Sequence, residues 1–263
     1  MKKLNGKINY VTIIAIILFI IAMILVVTIF SIVTHNKQAV KENSMFRIKE
    51  LLLYSSADVK SNSTNQALQN LSISQFSDIS IYIDNSSEDE PLNDMNTIKE
   101  IYIDNINIPA KMNNGRQILN YKSPMGFGKY SNLSQAVDNR INFLVMHTND
   151  ENDVNDYNNP TFYTDCSNPI TLGYINQDIV PSYSISENTN AVSYNAKVLK
   201  EANINLEDIS TTISFTIHLV NNLNHKFSCN VNVNLRFDED FINNGYAYIR
   251  FPISEDEYRF VRE

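Results

Sequence analysis

Two hydrophobic periods divide this chain. From Ile8 to Thr34 no charged side chain interrupts a run of Ile, Leu, Val, Phe, Ala and Met. As a helix rising ~1.5 Å per residue, the run spans ~40 Å, enough to cross a ~30 Å hydrocarbon core with some tilt. It predicts a transmembrane helix over residues 8–34, preceded by a short tail over residues 1–7. Beyond it, Met45, Ile48, Leu52 and Val59 recur at spacings of three, four and seven, while Lys49, Glu50 and Lys60 fall elsewhere. That spacing predicts an amphipathic helical stalk over residues 35–60. Ser, Asn and Gln then dominate residues 61–77, which read as a linker or short helix.

At Asp78 the period changes to two. Ile79, Ile81 and Ile83 alternate with polar residues, and Ile101-Tyr102-Ile103-Asp104-Asn105 repeats Ile81-Tyr82-Ile83-Asp84-Asn85 residue for residue. Further short runs of this kind, at 117–121, 141–146, 161–164, 170–175, 182–185 and 246–253, are bounded by Pro, Asn and Gly and read as strands. A short helix is expected within 132–139 and another within 196–202. The clearest local signal is a long hairpin. Ile213, Phe215, Ile217 and Leu219 alternate with polar residues, and after an Asn-rich turn the alternation resumes from Phe227 through Cys229, Val231 and Val233 to Phe237. Residues 78–263 are therefore expected to form a mainly β domain, an antiparallel sandwich of eight to ten strands, Ig-like or related.

Lys2, Lys3 and Lys7 precede the span, while Lys37, Lys41, Arg47 and Lys49 follow it, so basic charge alone does not decide the orientation. A short basic tail and a long domain that translocates regardless of its charge together give a cytoplasmic tail and an exported C-terminal domain as the expectation. The apolar run exceeds the 7–15 residues of a cleaved signal, and Val33-Thr34-His35-Asn36-Lys37 offers no small-x-small site. The expectation is a single-pass cell-membrane protein with an uncleaved signal-anchor. The leader Met1-Lys2-Lys3-Leu4-Asn5-Gly6 also resembles that of type IV prepilins, which implies cleavage after Gly6 and packing into a filament. Where those families carry Glu at the fifth mature position, this chain has Val11.

The formal charge is −8, and setting aside Lys2, Lys3 and Lys7 leaves 18 basic against 29 acidic side chains. Such a surface repels phosphate backbones, which excludes nucleic acid as a partner. The lipid bilayer, through residues 8–34, and a protein partner or a second copy are the partners expected.

Candidate chemistry is sparse. No metal, phosphate-loop or nucleophile-elbow motif occurs, and no cofactor is expected. Cys166 and Cys229 can pair in an exported domain or remain buried thiols. The polar stretch 149–156 places Asp150, Asn152, Asp153 and Asp156 where oxygen ligands for Ca²⁺ cluster, without the glycine or terminal glutamate of an EF-hand. An N-terminal anchor followed by a β domain carrying His147, Cys229 and Arg250 in that order is similar to sortases. The resemblance implies a Cys thiolate, a His and an oxyanion-steadying Arg, although Leu144-Val145-Met146 and Phe227-Ser228 depart from that family's flanking motifs. The composition and pattern point first to an envelope-associated interaction or structural module that recognises its partner through loops or an edge strand. A pilin-like subunit and a thiol transpeptidase are the alternatives.

Overall fold

A computed structural model describes residues 10–42, 45–61, 71–85, 91–110, 115–122, 133–147, 161–184, 192–254 and 257–263. The chain divides into two compact units, Met1–Ser44 and Met45–Glu263.

The first unit is one helix, α1 (Tyr10–Glu42), which forms where the apolar run predicts it and continues past Thr34. Within it Ile13–Val33 is apolar and entirely unburied. At ~1.5 Å per residue those residues cover ~31 Å, so the helix is long and apolar enough to cross a bilayer. The Thr28 hydroxyl donates to the Ile24 carbonyl at 2.6 Å, which satisfies a polar group inside the apolar stretch.

The predicted stalk is corrected by the structure: from Phe46 to Ser61 the chain is a strand, β1. The reason is a β-bulge. The register against β2 (Leu71–Asn85) shifts between Ile48 and Glu50, so Lys49 is the extra residue. Phe46 and Ile48 point inward before the bulge and Leu51 and Leu53 after it, and a period of two broken once imitates helical spacing. The expected linker is also overridden, since Leu71–Ser77 belongs to β2; residues 62–70 lie outside the described residues.

The second unit holds twelve strands among the described residues, in two six-stranded sheets. The remaining strands are β3 (Ile98–Asn107), β4 (Arg116–Lys122), β5 (Leu133–Gln135), β6 (Ile141–Met146), β7 (Thr161–Tyr163), β8 (Ile170–Tyr183), β9 (Thr211–Asn221), β10 (Lys226–Leu235), β11 (Ala247–Phe251) and β12 (Val261–Arg262). Sheet one runs β11-β1-β2-β8-β4-β5 and sheet two runs β12-β10-β9-β3-β6-β7. Neighbours pair antiparallel except β6 and β7, which are parallel. The duplicated Ile-Tyr-Ile-Asp-Asn segments fall in different sheets, on β2 and β3. Two strands expected around Pro181 are instead the single strand β8, and residues 133–135, expected in a helix, are the strand β5. Pro181 is tolerated because the pairing skips it, with Ile73 opposite Val180 and Leu71 opposite Tyr183.

The inner faces of both sheets share one hydrophobic cluster, giving a sandwich-like architecture. Two edge-to-face ring pairs join the layers: Phe46 of sheet one with Phe227 of sheet two at 5.3 Å, and Tyr121 with Phe143 at 5.0 Å. A smaller cluster lies where α2 (Lys197–Glu201), α3 (Leu206–Ile209) and α4 (Glu239–Asn244) cover Ala57, Val59, Leu71 and Ile73. Asp238 caps α4 by accepting from the Phe241 amide, and Gly245, at φ 89°, closes it in the left-handed conformation that glycine adopts without strain.

Between the two clusters the inner face turns polar. Ser55 and Ser77 share a hydroxyl hydrogen bond. In the next cross-strand row stand Ala57, Gln75, Asn176 and Gln117, and Gln117 donates to the Tyr174 hydroxyl at 2.8 Å.

Candidate functional site

The sequence-derived residues do not converge. Cys229 sits on the inner face of β10, opposite Ile217, which lies in the row of Ile103 and Ile141. His147 follows β6, six residues beyond Ile141. Strand geometry therefore separates His147 from Cys229 by roughly 20 Å along the strands and about 14 Å across three of them. Arg250 is on β11 in the other sheet, paired with Glu50 at 2.7 Å. Burial pushes the Cys229 thiol up to about 12, so the group is protonated rather than nucleophilic at neutral pH. Burial likewise raises Cys166, with Asp165 and Asp84 adding to the effect, and both cysteines are free. The geometry expected from the transpeptidase resemblance is absent among these residues.

Asp150, Asn152, Asp153 and Asp156 lie outside the described residues. Among the described residues no three His, Cys, Asp or Glu side chains cluster as metal ligands would.

The structure instead assembles two surfaces from strand register. The first is on the outer face of sheet one, along its margin. Among the described strands β11 pairs only with β1, at the end of the sheet. Because successive strand residues alternate in facing, Tyr246, Tyr248 and Arg250 share the outer face, with Tyr248 opposite Tyr54 and Arg250 opposite Leu52. Tyr54 stacks on Tyr246 with ring centroids 6.3 Å apart and meets Phe76 at 6.2 Å. Tyr246 is 54% exposed and Tyr248 63%. Large aromatic rings held this open on adjacent strands present a contiguous apolar strip.

The second surface is polar, on the outer face of sheet two. His218 of β9 stacks on Tyr102 of β3 at 4.6 Å, and the Arg140 guanidinium covers the other side of Tyr102 at 3.6 Å from the ring centre. His218 Nε2 lies 2.9 Å from Asp104 and Nδ1 3.0 Å from Glu263, while Arg140 reaches Glu100 at 3.3 Å. Both imidazole nitrogens can donate together only in the imidazolium form. Its partners occupy this cluster fully, so it reads as a clasp joining β3, β9 and the C-terminal residue.

A third feature is a groove of about 420 Å³ lined by Asp58, Lys60, Ser72, Ser74, Gln177 and Asp178, where the Asp178 amide already donates to the Ser74 hydroxyl at 2.9 Å. Sequence reading missed all three features, because each is made by cross-strand register rather than by neighbours in the chain. The one available signal was the alternation Tyr246-Ala247-Tyr248-Ile249-Arg250, which places two tyrosines on one face of an expected strand.

No protein-family model, no curated protein and no solved structure matches this chain.

Proposed function

We propose that this protein is a membrane-anchored binding module of the cell envelope. α1 holds it in the bilayer with the N-terminus cytoplasmic, and the β unit is displayed on the opposite side to engage a protein partner through the margin formed by β11. The observation that carries this reading is the pairing of a lipid-length apolar helix with a β unit whose exposed tyrosines line an open sheet edge. The anchor follows from burial energetics: leaving Ile13–Val33 in water would expose a continuous apolar surface that hydrocarbon takes up favourably. The orientation rests on the short basic tail with Lys2, Lys3 and Lys7 and on the tendency of a long domain to translocate regardless of its charge. The binding role follows from the sheet margin, since backbone groups at an open edge and apolar rings beside it are the elements of strand addition.

The test is carbonate extraction of membranes combined with labelling of Tyr248→Cys in spheroplasts by a membrane-impermeant maleimide. The native thiols, Cys229 buried and Cys166 half-buried, provide the slow background. Retention of the protein in the carbonate-resistant fraction, with rapid labelling before lysis, is expected. Release by carbonate removes the anchor from the proposal, and labelling only after lysis reverses the orientation.

A further inference from the structure

We propose that the free edge of β11 accepts an extended basic segment of the partner protein as a seventh strand of sheet one, with lysine or arginine side chains lying over Tyr246 and Tyr248. This rests on the binding role proposed above and specifies the chemistry of the partner.

Three observations carry it. First, β11 is the margin of its sheet, and its pairing is with β1 alone among the described strands. Its outward backbone groups can hydrogen-bond an added strand at the usual ~4.8 Å spacing. Second, Tyr246 and Tyr248 stand two residues apart on one face, the repeat at which alternate side chains of an added strand also stand. Open tyrosine rings attract cations through their negative faces. Third, the charge of the β unit is one-sided: residues 45–263 carry 16 basic against 28 acidic side chains. Arg250 is itself held by Glu50 at 2.7 Å, so the strand's own positive charge is already compensated.

The same balance argues against a second copy of this chain as the occupant. Edge-to-edge pairing of two copies would bring together two β units of the same net negative charge. A basic strand meets that net negative charge favourably, and its affinity should weaken with salt.

The experiment uses the full chain in phosphatidylcholine nanodiscs and fluorescence anisotropy of three ten-residue probes. One alternates Lys with Val. The second replaces every Lys with Glu. The third is the Lys-Val peptide N-methylated at two adjacent central residues, so that neither of its edges can complete a ladder. The Lys-Val peptide is expected to bind, and to lose about tenfold or more in affinity with the Glu peptide, with the methylated peptide and with the Tyr246→Ser/Tyr248→Ser double variant. Both tyrosines are exposed, and an unchanged circular dichroism spectrum verifies that the variant folds.

Equal binding of the methylated peptide overturns strand addition and leaves charge attraction only. Equal binding of the Glu peptide overturns the basic specificity. No binding of the Lys-Val peptide, or concentration-dependent dimers in its place, overturns the proposal. A benzophenone amino acid at position 248 in cells separates the two levels. Cross-linking to a second protein without Lys-Val binding preserves the binding role and removes the basic strand; failure of both removes both.

Discussion

Raising the pH should unfold the β unit through two tyrosines in its core. Tyr121 and Tyr174 are both fully buried, and burial pushes each phenol up to about 12 from an ordinary value of 10.0. Their hydroxyls are not orphaned. Tyr121 accepts from the Thr161 amide at 2.9 Å, and Tyr174 accepts from Gln117 at 2.8 Å. These bonds favour the phenolate slightly, but loss of hydration dominates, because both rings belong to the buried hydrophobic cluster.

The unfolded chain releases each proton near pH 10 and the folded chain holds it until about pH 12. The stabilisation is therefore complete below pH 10 and is lost as pH rises through the interval up to 12. Each pH unit in that interval is worth ~1.4 kcal/mol per group, so each tyrosine contributes up to about 2.8 kcal/mol and the pair up to about 5.5. That is a large share of the ~5–15 kcal/mol typical of a folded domain. Urea midpoints of the full chain in detergent, measured from pH 9 to 12, should fall steeply above pH 10. The Tyr121→Phe/Tyr174→Phe variant should start lower by about 1–2 kcal/mol per lost hydrogen bond, yet show a slope shallower by about 2–3 kcal/mol per pH unit. Cys166 and Cys229, whose thiols burial also raises, titrate in both proteins and cancel in the comparison. Parallel curves for the two proteins would refute the reasoning.

Two further outcomes check other parts of the structure. Gly245→Ala should lower stability by about 1–3 kcal/mol, because φ 89° is strained for alanine and a Cβ there would come within 2.6 Å of the Asn195 side chain; an unchanged urea midpoint would contradict this C-cap geometry. Val26→Arg, placed within the apolar stretch of α1, should cost insertion about 2.5–3.5 kcal/mol and move protein into the carbonate-soluble fraction, whereas full retention would show that α1 is held by something other than lipid.

The parts of the fold that were legible in the sequence are those whose period is unbroken. The β9–β10 hairpin runs in simple alternation from Thr211 to Asn221 and from Lys226 to Leu235, and each residue from Lys226 onward meets its partner without a register shift. α1 needed only an uninterrupted apolar run. Pro181 hid the length of β8 because a proline normally ends a strand, and only the skipped pairing opposite Ile73 and Leu71 accommodates it. The tyrosine margin was half-legible. Alternation put Tyr246 and Tyr248 on one face, but nothing local says that β11 ends its sheet or that Tyr54, nearly two hundred residues earlier, completes the strip. The triad order His147, Cys229, Arg250 shows the converse failure, in which residues suggestive in chain order are distributed over two sheets.

β1 is the most instructive conflict, because its local preference and its final state disagree. Residues 45–53 read Met-Phe-Arg-Ile-Lys-Glu-Leu-Leu-Leu, rich in Met, Arg, Lys, Glu and Leu, the residues that lose little rotamer freedom in a helix. β-branched residues, which favour strands, are represented there only by Ile48. What overrides the preference is tertiary: β1 is paired on both sides, with β2 along its whole length and with β11 over Leu51–Ser55, and it buries Phe46, Ile48, Leu51 and Leu53 almost completely. Burying four such side chains contributes on the order of 6–12 kcal/mol, more than the few tenths per residue by which helix propensity favours the other state. A peptide of residues 45–61 cut from these partners should therefore not be a strand. Circular dichroism should show it largely unstructured in water and helical in trifluoroethanol, while the 71–85 peptide, built on alternating Ile and Ser, gains much less helix. Strand content in the isolated 45–61 peptide, or equal helix in both, would mean that β1 is specified locally and that the bulge at Lys49 does not explain its helical spacing.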